Sequence, residues 1–233
     1  MSRIFLAVLL LAFLLNTQKL YAQETDSDSS ISQPVIPVKK QAPFRFFRVG
    51  IDLSKALADV VQSAYQTAEL SLDANYRANI FTDLEGGWGH SRVSNSYLSY
   101  QCTNPFLRIG VEKRLFNPVY AGDFDNAFIG LRYGLARVNR SDGAYVIQDP
   151  VWGNTTGHIP GATFWAHWVE LTGGFRMELI RHIFIGWTIR AKTLLNPKQL
   201  EQLPPAYLAG YGKGDKPTAF GYNFYLQYGF GKR

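Results

Sequence analysis

A chain of 233 residues with 46% hydrophobic residues can build one large β domain or two small ones, and its mean hydropathy of −0.11 excludes a helical membrane protein. The formal charge of +6 comes without a basic block and gives nucleic-acid binding no support, while the single cysteine, Cys102, excludes a disulfide framework or a metal knuckle. What departs from the average is an aromatic share of 15% alongside 21 glycines, a mixture suited to closely packed strands that meet a membrane interface.

The chain opens with Arg3, an apolar run over residues 4–15, and then Leu20-Tyr21-Ala22-Gln23. A positive start, a short apolar run and a small residue before the break predict a secretory signal peptide over 1–22, cleaved after Ala22 or Gln23. The run is too short for a spanning helix, which needs ~20 residues. Loss of Arg3 and Lys19 with this segment leaves a charge of +4. Residues 23–43 are polar, carry three prolines and have no periodicity, which predicts a disordered linker.

From residue 44 onward the pattern has a period of two, the signature of strands whose faces meet different surroundings. A first strand over 45–57 sets Phe47, Val49 and Ile51 against Arg48, Gly50 and Asp52. A second sets Leu70, Leu72 and Tyr76 against Glu69, Asp73 and Arg77. After a tight turn at Ala78-Asn79, a third sets Ile80, Leu84 and Trp88 against Asp83, Glu85 and Gly87. A polar loop is expected over 93–104. The fourth strand opposes Leu107, Ile109, Val111 and Leu115 to Arg108, Glu112 and Arg114, with Lys113 interrupting the apolar set. The fifth opposes Ile129, Leu131 and Tyr133 to Arg132. A long loop over 139–162 precedes the sixth, where Trp165, Val169, Leu171 and Phe175 oppose Trp168, Glu170, Arg176 and Glu178. A turn at 180–182 gives the seventh, with Ile185, Trp187 and Ile189 against Arg190 and Lys192. A second long loop covers 196–218.

The last strand, 219–230, alternates Phe220, Tyr222, Phe224, Leu226, Tyr228 and Phe230 with Ala219, Gly221, Asn223, Tyr225, Gln227 and Gly229. An ordinary strand has ~5–6 residues, whereas one crossing a bilayer at a tilt needs ~9–11. The expected fold is therefore all-β: an eight-stranded antiparallel up-and-down transmembrane β-barrel over 44–233. An even strand count with alternating short and long connections fits that class. Two connections fit less well, 117–126 being long for a turn and 58–66 short for an outer loop.

The charges fall on the non-apolar face. The acids there are Asp52, Glu69, Asp73, Asp83, Glu85, Glu112, Glu170 and Glu178; the bases are Arg48, Arg77, Arg108, Arg114, Arg132, Arg176, Arg190 and Lys192. Arg or Lys on a lipid face costs ~2–4 kcal/mol at mid-bilayer, so the segregation is expected if the apolar set meets lipid. A balanced interior can form ion pairs, and eight strands leave just enough width for side chains to fill it. This predicts a plugged barrel with no diffusion channel. The alternative is a soluble periplasmic, lipocalin-like binding barrel with the apolar set inside; it would have to bury Trp88, Trp165, Trp187, Phe220, Phe224 and Tyr228 together with every aliphatic.

Three segments carry a resemblance: RVGIDLSK at 48–55, FIGLRYGL at 128–135 and AHWVELTGGFRME at 166–178. From about Phe44 onward the chain resembles an uncharacterised family of small outer-membrane β-barrel proteins from Bacteroidota, similar in architecture to the OmpA- and OmpX-type barrels. The resemblance implies a cell outer-membrane location and supplies no activity or catalytic residue. It also implies a last strand read by the outer-membrane insertion machinery, although Gly231, Lys232 and Arg233 displace the usual terminal aromatic.

Some eight-stranded barrels are lipid A acyl hydrolases or transferases, which need a nucleophile, a base and an orienting acid within reach of one another. The candidates are His90 with Ser91 or Ser94, and His167 with Glu170. Their spacing is unspecific, and His158 and His182 form no cluster with them. The Asn154-Thr155-Thr156 sequon is read as chance, and Glu69/Asp73 and Asp83/Glu85 as partners of the interior bases. No phosphate loop, nucleotide fingerprint or metal motif occurs, so no cofactor and no enzymatic activity are expected. The reading is a structural or recognition scaffold whose long loops, with Tyr145, Trp152, Pro204, Pro205, Tyr207 and Tyr211, meet an envelope protein or lipopolysaccharide.

Overall fold

A computed structural model describes residues 46–55, 65–77, 79–116 and 124–231. The expected signal peptide over 1–22, the expected linker over 23–43, and most of the 58–66 and 117–126 connections lie outside the described residues.

The strands are β1 (Phe46–Asp52), β2 (Tyr65–Arg77), β3 (Ile80–Ser94), β4 (Leu98–Arg114), β5 (Asn126–Arg140), β6 (Gly143–Ile147), β7 (Thr155–Ile159), β8 (Ala162–Ile180), β9 (Ile183–Leu194) and β10 (Thr218–Gly231). Eight of them pair antiparallel in the order β3-β2-β1-β10-β9-β8-β5-β4, and pairing of β3 with β4 closes the ring. First and last strands meet along Phe46↔Gly231 to Asp52↔Tyr225. The result is a closed eight-stranded barrel with no open edge in its wall.

The period of two decides which face each residue takes. Leu70, Ile109 and Leu171 point outward and are 58%, 60% and 56% exposed, whereas their chain neighbours Glu69, Arg108 and Glu170 are buried inside. At mid-height the outer wall is apolar on every strand of the ring and the inner surface is charged. A lipocalin-like arrangement has these faces reversed.

The first strand ends at Asp52, short of the expected residue 57, and residues 53–55 turn helical. Three further stretches differ from their sequence reading. Residues 93–104 are not a loop: β3 runs on to Ser94, β4 begins at Leu98, and they join at residues 95–97. Asn95 Oδ1 accepts the amides of Tyr97 and Leu98 at 2.9 and 2.8 Å, closing this tight turn. The alternation continues there, with Tyr100, Cys102 and Asn104 inside and Ser99, Gln101 and Thr103 outside, but the outer set has turned polar and so reads as loop.

Residues 139–162 hold a β6–β7 hairpin that extends the sheet from the top of β4, with Leu98↔Tyr145 and Ser99↔Ala144 paired. Residues 196–217 contain a 3₁₀ turn, Pro197–Leu200, and then fold back into the barrel mouth, burying Leu200, Leu203, Leu208, Ala209 and Tyr211. At the opposite end, β8 and β9 join through His182, the one described non-glycine residue with positive φ (70°). Its amide donates to Glu178 Oε1 at 2.7 Å and its carbonyl accepts Gly229 N–H at 2.7 Å, which holds it in that conformation.

Candidate functional site

The inward charges of the strands converge at mid-height. Arg108 meets Glu69, Glu85 (2.8 Å) and Glu170 (3.4 Å); Arg132 meets Asp83 (3.5 Å), Glu85 and Glu112. Arg176 meets Asp73 (3.2 Å), Asp83 (3.4 Å) and Glu112; Arg190 meets Glu85 and Glu170, both at 2.9 Å; Arg48 meets Asp73 at 3.0 Å. These five arginines and six carboxylates form one connected network, and all are buried. Glu85 is its hub, touching Arg108, Arg132 and Arg190. A buried pair need not stabilise relative to apolar packing, but removing one partner of such a pair costs ~3–5 kcal/mol because the other is stranded.

Tyr225 completes the hub. Its hydroxyl lies 2.6 Å from Arg190, which donates to it, and within 2.8 and 3.0 Å of Glu69 and Glu85. Its partners inside the network were not read from the sequence; the available signal was that it is the only aromatic on the inward set of β10. Trp168, also inward, donates its indole N–H to Glu170 at 2.6 Å.

The other five of the sixteen residues assigned to the interior pairs make contacts of their own. Arg77 is exposed at the β2 end and sits over the Tyr76 ring, because the alternation breaks at the irregularity between Asn75 and Arg77. Glu178 is half-buried and accepts the His182 amide. Asp52 is buried against Ser54 and Asn223. Arg114 is buried over the Phe81 ring, 5.5 Å from its centroid. Lys192 donates to the carbonyls of Gly210 (2.7 Å) and Tyr211 (3.0 Å).

Below the network, toward the start of β1 and the end of β10, is an aromatic floor. Phe46 stacks on Phe124 at 3.8 Å, and the guanidinium of Arg48 lies over Phe81 and Phe184. Arg176 lies 4.3 Å over Phe128. These arginines therefore pair a carboxylate on one side with a ring face on another, a partly desolvated cation–π arrangement.

Above the network the interior is apolar and the returning loop fills it. Phe106, Ala136, Val138, Ala166, Trp168 and Leu194 pack on Leu200, Leu208, Ala209 and Tyr211. Gly134 gives Trp168 its place: a Cβ there would fall 2.2 Å from the ring. Gly210, at φ +77°, lies against Phe106, and its carbonyl accepts Arg108 (2.9 Å) as well as Lys192. Asn104 accepts Ala209 N–H at 2.7 Å and donates to Tyr207 O at 3.0 Å; Arg140 donates to Leu203 O at 2.9 Å and Tyr100 to Pro204 O at 2.7 Å. Burial pushes the Tyr211 phenol up to about 12, against the effect of its hydrogen bond to the backbone. Burial works to lower the Lys55 ammonium, but Tyr207, Glu69 and Asp52 outweigh it and raise it above its ordinary value. Of the loop residues expected at the surface, Tyr211 and Pro205 are thus buried and Tyr207 stacks on Tyr65 at 5.1 Å.

In the other long loop, Trp152 and Val151 stand out at 88% and 78% exposed. Asp149 Oδ1 holds this tip by accepting their amides at 2.9 and 2.7 Å, and those bonds depress its pKa.

The histidine candidates are separated from their assigned partners. His90 faces outward and bonds Thr103 at 3.3 Å, while Ser91 faces inward and is buried. Ser94 is four residues farther along β3, ~13 Å away. His167 faces outward beside Tyr133 (3.1 Å), with Glu170 on the inner side of the wall.

No curated protein matches the chain. A family model described as a domain of unknown function, DUF6048, matches residues 1–230. The closed, charge-filled barrel and the loop that fills its mouth are therefore features of a member of the DUF6048 family, to which this chain belongs.

Proposed function

We propose that the chain is a small integral outer-membrane β-barrel that acts as a structural or recognition scaffold and has no catalytic activity. The observation that carries this reading is the inversion of the barrel: apolar residues on the outer wall all round, buried charges within. In water such an exterior is far larger than the few hundred Å² of apolar patch that soluble monomers expose. On β10 the outward aromatics run from Phe220 to Phe230, about 33 Å along the strand, which a tilt of ~40° brings to the ~25 Å height of an outer-membrane apolar band.

On this reading the signal peptide exports the chain, the insertion machinery assembles it, and the architecture is that of the OmpA- and OmpX-type barrels, in a protein of Bacteroidota. Lipopolysaccharide surrounds the wall, and an envelope protein is met through the β6–β7 tip, where Trp152 offers the kind of anchor that dominates interfaces. The test is fractionation of cells expressing the full chain, with heated and unheated gel mobility of each fraction. The reading expects a protease-resistant, heat-modifiable species in the outer-membrane fraction; a fully soluble periplasmic monomer contradicts it.

A further inference from the structure

The outer wall carries one feature that an inert apolar surface does not need. Near the mouth, Trp88 pairs with Pro105 and Arg137 pairs with Trp165. The pairs Thr103↔Asn139 and Phe106↔Ala136 on either side put Pro105 opposite Arg137. One row across β3, β4, β5 and β8 thus reads Trp, Pro, Arg, Trp, and all four residues are exposed. Arg137 is in none of the ion pairs between described residues.

The next row toward the mouth, ~7 Å higher along the strands, consists of His90, Thr103, Asn139 and Thr163, hydrogen-bonded in two pairs: His90 to Thr103 at 3.3 Å and Thr163 to Asn139 at 3.0 Å. The row below is apolar on β4 and β5, where Leu107 pairs with Leu135. On β8 that row ends in His167, bonded to Tyr133. So on β4 and β5 the wall passes within three rows from leucine, through one guanidinium with no described ion pair, to a band of hydroxyl and amide groups that His90 extends on β3.

We propose that this patch binds the headgroup of a phosphorylated glycolipid. The guanidinium would take a phosphate oxygen pair through parallel N–H donors. The polar row has the mixed donors and acceptors that sugar hydroxyls match, and the apolar row continues beneath the acyl chains. Lys113, the base that interrupts the wall at the opposite end, pairs with Ile80 and Ile129 and lacks both the aromatic flanks and the polar row. The site therefore sets the mouth of the barrel in the leaflet that holds the glycolipid.

This inference rests on the membrane reading above, and its test separates the two. The full chain, with Arg137→Gln, Arg137→Lys and Lys113→Gln variants, is reconstituted into neutral phosphatidylcholine nanodiscs doped with lipid A or with phosphatidylglycerol. Bound lipid is counted by native mass spectrometry, and heat-modifiable mobility is read on the same samples. The expected result is preferential retention of lipid A by wild type and Lys113→Gln, an intermediate level for Arg137→Lys, and a loss of about tenfold for Arg137→Gln, as for removal of one charge-assisted contact. Unchanged retention by a normally inserted Arg137→Gln overturns the site, equal retention of phosphatidylglycerol overturns the glycolipid assignment, and release by inorganic phosphate overturns the assignment to lipid. A chain that never gives the folded form in bilayers removes the membrane reading itself.

Discussion

The two halves of the barrel interior are filled in opposite ways. Around Glu85, strands supply everything: each arginine and carboxylate comes from a fixed inward position on the wall, and their partners lie on other strands. Around Tyr211 the strands supply a cup of small and apolar residues, and a segment from a single loop supplies the filling. Trp168 touches both, its indole N–H on Glu170 and its ring edge-to-face with Tyr211, the centroids 5.7 Å apart. So does Arg108, which divides its donors between carboxylates and Gly210 O. The difference teaches that an ionic filling couples many strands at once, whereas a loop filling couples one segment to the wall and can come away with less.

The largest expected effect is therefore at the hub. Glu85→Gln removes the charge that three buried guanidiniums share and should cost ~3–5 kcal/mol, read as a fall in the urea midpoint of the refolded barrel in detergent with a single transition. A loss below about 1 kcal/mol, the range of an exposed pair, would show that the network is not coupled as described.

In the mouth, Gly210→Ala meets both a positive φ and the Phe106 ring, which together should cost ~1–3 kcal/mol. Here the expected signature is local: protease cuts within 196–217 before any loss of the heat-resistant barrel. Global unfolding at the same denaturant concentration would instead mean that the two halves are one cooperative unit. Lys192→Met, which removes two donors to the same loop, should loosen the segment in the same direction at ~1–3 kcal/mol.

The smallest effect is at the β6–β7 tip, outside both halves. The Asp149 carboxylate is depressed by the amides it accepts, so the order it gives the tip is present above its ordinary range near 3.8 and lost as pH falls through the lower folded value. Trp152 fluorescence anisotropy should drop on acidification, and Asp149→Ala should show the low value at neutral pH. Identical anisotropy for wild type and variant would detach Asp149 from the tip.

The ionic half was legible in the sequence because a period of two carries the face of each residue directly. Arg108, Glu112 and Arg132 need no knowledge of their neighbours to be set inside. Their pairings, and the place of Tyr225 among them, depend on barrel closure and register, which no single strand encodes. The mouth was read less well for a different reason. Leu203, Leu208 and Tyr211 lie among prolines and glycines with no period, so only the cup left by small residues such as Ala136 and Ala166 explains why that loop turns inward. Residues 93–104 kept their alternation but lost its contrast, since Gln101 and Thr103 outside differ little in polarity from Asn104 inside. Arg77, beyond the irregularity at the end of β2, marks where the period itself fails.

The central claim is that the outer wall faces lipid. In a Cys102→Ser background, single cysteines at Gln101, Leu107, Ile109 and Val111, all outward on β4, can carry a small fluorophore in liposomes containing brominated lipid. The account predicts strong quenching by the lipid at Ile109 and its neighbours, and at Gln101 quenching by aqueous iodide instead. Equal access to iodide at all four positions would contradict it, and would mean that the apolar wall is covered by something other than a bilayer.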